Sequence, residues 1–141
     1  ASRGDGAKLN GRRIRVSGRA SEVGALYATG IPFSSPSFDH MDGYLKSMHE
    51  FASNSSGVRR MGAAALDLAY VAAGRMDAYW EMYLKPWDIA AGALLVREAG
   101  GMVSDFQGGE KFLETGHIVA CTPKLVKPTL KVIAKHLSNV K

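Results

Sequence analysis

The 141-residue chain holds a single cysteine, Cys121, and only five prolines. One thiol cannot close an internal disulfide, which excludes a disulfide-stapled miniprotein and fits a reducing compartment. No apolar stretch reaches the length needed to span a bilayer. The N-terminus, Ala1-Ser2-Arg3-Gly4-Asp5, carries neither an initiator Met nor a secretory pattern, so a cytoplasmic setting without membrane contact is expected. Linkers, internal repeats and low-complexity tracts are also missing. With 46% hydrophobic and 22% charged residues, the composition excludes a disordered tail and a collagen-like repeat, and it is enough to bury a substantial core.

The formal charge of +5 is unevenly spread. Residues 1–20 hold six basic groups against Asp5, and residues 124–141 hold five Lys and no acid. Between them, residues 21–123 hold seven basic and twelve acidic groups. An acidic middle suits metal or polyol chemistry better than contact with a phosphate backbone.

Gly11-Arg12-Arg13-Ile14-Arg15-Val16-Ser17 alternates basic and apolar residues and predicts a half-exposed strand over 12–17, with nothing ahead of it to pair. Residues 22–30 read as a buried strand. Residues 37–52 predict a helix with Phe38, Met41, Leu45, Met48 and Phe51 on its inner face, followed by a turn at Asn54-Ser55-Ser56-Gly57. Residues 62–73 predict a buried helix ended by Gly74. Residues 76–85 alternate, with Met76, Ala78, Trp80, Met82 and Leu84 on one face and Asp77, Tyr79, Glu81, Tyr83 and Lys85 on a polar face. Pro86-Trp87-Asp88 opens a helix that Gly100-Gly101 stop. Strands follow over 102–106 and 117–121, around Gly108-Gly109. Pro123 then starts a terminal helix with Leu125, Leu130, Ile133 and Leu137 inward. Strands alternating with helices predict an α/β layered sheet.

Some local patterns carry no chemistry. Arg3-Gly4-Asp5 spells an adhesion tripeptide by chance. Residues 57–62 have P-loop spacing, but Ala63 and Ala64 stand where such a loop needs Lys and Ser or Thr. The four histidines, His40, His49, His117 and His136, are too scattered for zinc. Asp39 and Asp42 could pair on magnesium, but at a helix start Asp39 is more simply a cap.

Glu81 lies on the polar face of its strand, seven residues before Asp88, and the Pro86-Trp87 turn could bring both carboxylates to one rim at the strand's C-terminal end. Ligands of α/β sheets bind outside such ends. Taken alone, Asp88 is also explained as a helix cap, contributing about 1 kcal/mol, and Glu81 as a solvated strand residue. Arg59-Arg60-Met61-Gly62-Ala63-Ala64 is a third element. Its small residues let a ligand approach backbone N–H groups, and its arginines can bind phosphate. The same small residues also suit close helix packing with the arginines in water, and spacing does not decide between the two.

Trp87-Asp88-Ile89-Ala90-Ala91-Gly92 with Glu98-Ala99-Gly100-Gly101 resembles the C-terminal motif of the inositol monophosphatases. Leu9-Asn10-Gly11, the run from Gly62 to Ala69, Ala78-Tyr79-Trp80-Glu81 and Val103-Ser104-Asp105 agree with it. Ala69-Tyr70-Val71-Ala72-Ala73-Gly74-Arg75 is most similar to the bacterial branch, whose members also serve in ribosomal RNA transcription antitermination. The resemblance covers all of residues 1–141 but only the C-terminal half of the family. The Glu-Glu pair and the Asp-Pro-(Ile/Leu)-Asp-Gly-(Thr/Ser) run that hold most of the magnesium do not occur, so the resemblance implies a missing N-terminal half.

The fold it implies is α/β, one half of a layered αβαβα sandwich. The activity it implies is magnesium-dependent hydrolysis of a phosphate monoester, foremost inositol-1-phosphate, by metal-activated water. Asp88 matches the metal-ligating Asp, Glu81 the acid that accepts substrate hydroxyls, and Gly62, Ala63 and Ala64 the backbone segment along the substrate. Arg59 sits where the bacterial branch is expected to contact substrate. Met61 replaces a usual Thr or Ser and Ala63 a usual Ser, which removes hydroxyl contacts. A homodimer is usual in the family. The alternatives are a binding factor for transcription elongation factors and ribosomal RNA, and a sister phosphatase acting on fructose bisphosphate or a phosphoadenosine nucleotide.

Overall fold

The computed structural model describes residues 1–141. The chain begins with an antiparallel hairpin of β1 (Ala7–Leu9) and β2 (Arg12–Ile14). The strand expected over 12–17 is therefore shorter than its alternation predicts, and it does have a partner ahead of it. Asn10 and Gly11 both take positive φ, 51° and 76°, the geometry an Asn-Gly hairpin turn requires. Glu98 clamps this hairpin, its carboxylate accepting the Gly4 and Gly6 N–H groups at 2.8 and 2.9 Å.

A five-stranded sheet follows, built from β3 (Leu26–Thr29), β4 (Gly57–Arg59), β5 (Ala78–Glu81), β6 (Met102–Ser104) and β7 (Ile118–Cys121) in the order β4-β3-β5-β7-β6. β3 runs parallel to β4 and β5, whereas β7 is antiparallel to both β5 and β6. Five helices complete the chain: α1 (Met41–Asn54), α2 (Ala64–Ala72), α3 (Pro86–Glu98), α4 (Phe112–Thr115) and α5 (Val126–Leu137). α2 and α3 bury Leu68, Val71, Ile89 and Val96 on one face of the sheet, together with Tyr79. α1 and α5 bury Tyr44, Phe51, Ile133 and Leu137 on the other, together with Trp80. The result is the layered α/β architecture expected, and no helix is long and apolar enough to cross a membrane. Cys121 is buried and unpaired.

The structure changes particular assignments. The strand over 22–30 is confined to β3, and Gly57–Arg59 is an edge strand where only the end of a turn was expected. Residues 37–52 are not one helix: a 3-10 turn spans Ser37–His40 before α1. Within α1, Met41, Met48 and Phe51 face the core as expected. Tyr44, Ser47 and Phe51 are buried, while Phe38 and Leu45, expected inward, are 57% and 50% exposed. Asp39 does not cap α1; it lies in the 3-10 turn and accepts a hydrogen bond from Ser35 at 3.3 Å.

β5 has no solvated face. It lies between β3 and β7 with helices on both sides, so Tyr79 and Trp80 are both fully buried. Met76 packs with Tyr79, opposite to its expected side. β6 ends at Ser104 because Asp105 turns the chain, its carboxylate accepting N–H bonds from Gln107, Gly109 and Lys111 at 2.9, 2.8 and 3.1 Å. The terminal helix begins with a 3-10 turn at Pro123–Leu125; Leu125, Ile133 and Leu137 are buried as expected and Leu130 half-buried. Helices α2 and α3 approach closely at Gly92, where a Cβ would come within 2.5 Å of Leu68.

Candidate active site

The three parallel strands all end at one place. Gly30 follows β3, Arg60 follows β4 and Glu81 closes β5, and all three line a pocket of about 230 Å³. Gly62 and Ala63 line it just ahead of α2, Ala64 and Asp67 from α2, and Asp88 from α3. Ligands of α/β folds bind at such C-terminal strand ends, because the helices that follow present their N-terminal N–H groups there.

Glu81 is held from two sides. Tyr79, two residues earlier on the same strand, donates its hydroxyl hydrogen bond to Glu81 Oε2. Across the strand boundary, Gly30 leaves the room the carboxylate needs, since a Cβ there would overlap it. Burial pushes the Glu81 carboxyl above its usual range and the Asp88 charge adds to this, against the Tyr79 bond and Arg60. Burial and the adjacent Glu81 charge push the Tyr79 hydroxyl strongly upward, so it remains a donor.

Asp88 is the third residue of α3. It is not the N-cap, which is Lys85; instead its Oδ2 accepts the Lys85 N–H at 2.9 Å as the third-position acid of a capping box. The same half-buried carboxylate both ties the helix start and lines the pocket. α2 starts at Ala63, which has no side chain able to cap it, and its first hydrogen bond in the turn is Asp67 N–H to Ala63 O at 2.9 Å. The earlier N–H groups of that turn are thereby left for a ligand.

Between Glu81 and Asp88 the chain turns sharply through Tyr83, at φ 58° in the left-handed region. The turn is fastened by Tyr83 N–H to His117 Nδ1 at 3.2 Å and by Leu84 N–H to Gly116 O at 3.0 Å. His117 Nε2 lies 2.8 Å from Lys141 O, and an imidazole that accepts at Nδ1 and donates at Nε2 is neutral. Burial lowers the His117 pKa, which favours that state.

Five of the residues singled out from sequence, Glu81, Asp88, Gly62, Ala63 and Ala64, therefore meet in one pocket. Arg59 does not line it. It ends β4 on the exposed side, its guanidinium donating to Val58 O at 3.3 Å, and Arg60 occupies the pocket wall instead, 5.0 Å from the Phe33 ring.

Asp67 is the functional-site residue the sequence reading missed. It lines the pocket, is only 1% exposed, and neither carboxylate oxygen has a hydrogen-bond partner. Burial pushes its pKa up to about 7, the Glu81 charge adding and Arg60 opposing. The available signal was an acid one helical turn beyond Ala63 in an otherwise apolar helix.

As a metal centre these residues are incomplete. No three His, Cys, Asp or Glu side chains are arranged to hold an ion. Asp88 fits as a single hard-oxygen ligand of the kind magnesium takes, and a full coordination shell needs donors from outside residues 1–141.

A mixed sheet between two helix layers, with an acid-lined pocket at its parallel strand ends, defines an α/β sandwich protein. Residues 1–140 match the inositol monophosphatase family, and the chain belongs to that family. It is 59% identical over 137 residues to the Nus factor SuhB of Pseudomonas aeruginosa, covering 97% of this chain and 51% of that protein. Its structure matches the extragenic suppressor protein suhB of Bartonella henselae with a TM-score of 0.90 at 42% identity, covering 97% of this chain and 52% of that one. An IMPase from Thermotoga maritima matches with a TM-score of 0.87 at 35% identity, covering 100% and 52%. The chain thus spans about half the length of the curated relatives it matches.

Proposed function

We propose that residues 1–141 form the C-terminal, substrate-binding half of a magnesium-dependent phosphatase that hydrolyses a phosphorylated polyol, foremost inositol-1-phosphate. The observation that carries this reading is the convergence of Glu81, Asp88 and the uncapped start of α2 on one pocket. Magnesium, when bound, supplies Lewis-acid polarisation of the phosphoryl group and an activated water, and Asp88 is the residue of this half that would hold it. Glu81 accepts hydrogen bonds from ring hydroxyls, oriented by the Tyr79 bond and the space above Gly30. The amides of Gly62, Ala63 and Ala64 line the bound ester, and Arg60 offers the one cation of the pocket wall.

The test is phosphate release from inositol-1-phosphate by the full-length protein with magnesium, compared with Asp88→Asn. Loss of one metal-ligating carboxylate, worth several kcal/mol in the transition state, predicts a fall of about 100-fold or more in kcat/KM. Undiminished turnover in the variant overturns the role of Asp88. The isolated chain, lacking the other metal ligands, is expected to release no phosphate.

A second reading is favoured by the name of the Pseudomonas relative, a Nus factor. In it the same fold serves as a binding factor for transcription elongation complexes, with the basic ends of the chain outward. Retention of elongation factors or ribosomal leader RNA by the full-length protein at moderate salt supports it, and absence of both counts against it.

A further inference from the structure

We propose that Asp67 is a second hydroxyl-binding residue of this pocket, and that together with Glu81 it reads two neighbouring hydroxyls of the substrate ring; this rests on the phosphatase reading above. A carboxylate with both oxygens buried and unpartnered is costly, and native folds keep one only where something else supplies the donors. Asp67 lies in the pocket wall, and the donors we assign to it are those of a ligand bound there.

The identity of the donors follows from what surrounds it. Asp67 shares the pocket with Glu81, Asp88 and a single cation, Arg60, which forms no ion pair with any of them. Within residues 1–141 the three carboxylates are not arranged to hold one metal ion, and a magnesium on Asp88 takes its remaining ligands from elsewhere, so we assign uncharged donors to Asp67. A hydroxyl gives one proton and cannot satisfy two separate carboxylates at once, whereas adjacent hydroxyls on one ring can each take one.

Placement supports the same conclusion. Asp67 sits in the first turn of α2, just beyond Ala63 and Ala64, where the helix dipole favours a negative charge. Glu81 ends β5 on the sheet beneath. A polyol ring between them presents one edge to the strand and the neighbouring edge to the helix. Such a pair discriminates a diol from a single alcohol more sharply than Glu81 alone, because the missing hydroxyl leaves a buried carboxylate unpaired.

The experiment crosses protein and substrate variants. Full-length wild type and Asp67→Asn are assayed on inositol-1-phosphate and on deoxy analogues that each lack one ring hydroxyl. For one analogue, wild type loses about 10- to 100-fold in kcat/KM, matching one charge-assisted hydrogen bond. Asp67→Asn loses a similar factor on the parent substrate and suffers no further loss on that analogue. Equal losses of Asp67→Asn on every analogue, or none on the parent, overturn the inference. Wild type that hydrolyses no phosphorylated polyol overturns the phosphatase reading and this inference with it.

A second readout needs neither the variant nor magnesium. The carboxyl carbon-13 resonance of Asp67 in the wild-type protein moves when free inositol is added and does not move with the analogue lacking the matching hydroxyl. A resonance unmoved by inositol at saturation overturns the inference even where Asp67→Asn fails to fold.

Discussion

At the scale of the residue, the account rests on carboxylates whose surroundings differ. Asp88 is half-buried and tied to a helix start, Glu81 is tied to Tyr79, and Asp67 is buried without any tie. Asp67 therefore makes a prediction of its own. Its folded pKa is raised from 3.8 to about 7, so the folded state holds a proton that the unfolded chain releases earlier. The stability this confers is complete below about pH 4 and is lost as pH rises through about 7, so unfolding becomes easier across that window. Asp67→Asn removes the charge. The full-length variant is expected to lie closest to wild type near pH 4, to gain on it as pH rises, and to melt about 4 °C or more above it at pH 8, by calorimetry without ligand. A variant less stable than wild type at pH 8 contradicts the buried charge. Asp67 was not legible as a site residue in the sequence, because its neighbours Leu66, Leu68 and Val71 read as a packing helix and burial of a carboxylate is decided by tertiary structure.

At the scale of the element, the loop between β5 and α3 sets how far apart Glu81 and Asp88 stand. Its strained residue, Tyr83, is held by an imidazole acceptor on the neighbouring segment. His117→Leu leaves the Tyr83 N–H without a partner and costs about 1–3 kcal/mol in urea denaturation. In His117→Asn the side-chain amide oxygen can take the acceptor position of Nδ1, so most of that loss is expected to be recovered. Equal losses in both variants mean that ring packing, not the hydrogen bond, fastens the loop. The elements themselves were legible in proportion to their length and one-sidedness. α3 and α5 begin and end close to where Pro86, Gly100 and Pro123 place them. Of the inner face expected for α1, Met41, Met48 and Phe51 do pack inward, while Phe38 falls in the 3-10 turn of Ser37–His40 and Leu45 is half-exposed. β5 reads as half-exposed because Asp77, Tyr79 and Glu81 alternate with apolar residues, yet a central strand buries both faces. Tyr79 is there to hold Glu81, and Asp77 accepts the Leu26 N–H at 2.7 Å beside β3.

At the scale of the molecule, the sheet collects what the chain separates. Gly30, Arg60, Asp67, Glu81 and Asp88 come from five elements or their ends and line one pocket because β3, β4 and β5 are parallel and finish on one side. The approach of Glu81 to Asp88 was legible from their spacing across the Pro86-Trp87 turn, whereas the small-residue segment joined them only through the family resemblance. The replacement of Arg59 by Arg60 was not legible, since it depends on which way the last residue of an edge strand points. The chain spans about half the length of the curated relatives it matches, and under the proposed reading its acids meet a ring of hydroxyls and a metal whose other ligands lie outside residues 1–141. The most direct measurement is a crystal structure of the full-length protein with inositol-1-phosphate bound under a non-activating cation. The account predicts the polyol in this pocket, with ring hydroxyls about 3 Å from the Glu81 carboxylate and the phosphate end toward Asp88. Substrate bound at any other place on the molecule, with the pocket at the ends of β3, β4 and β5 left to solvent, contradicts it.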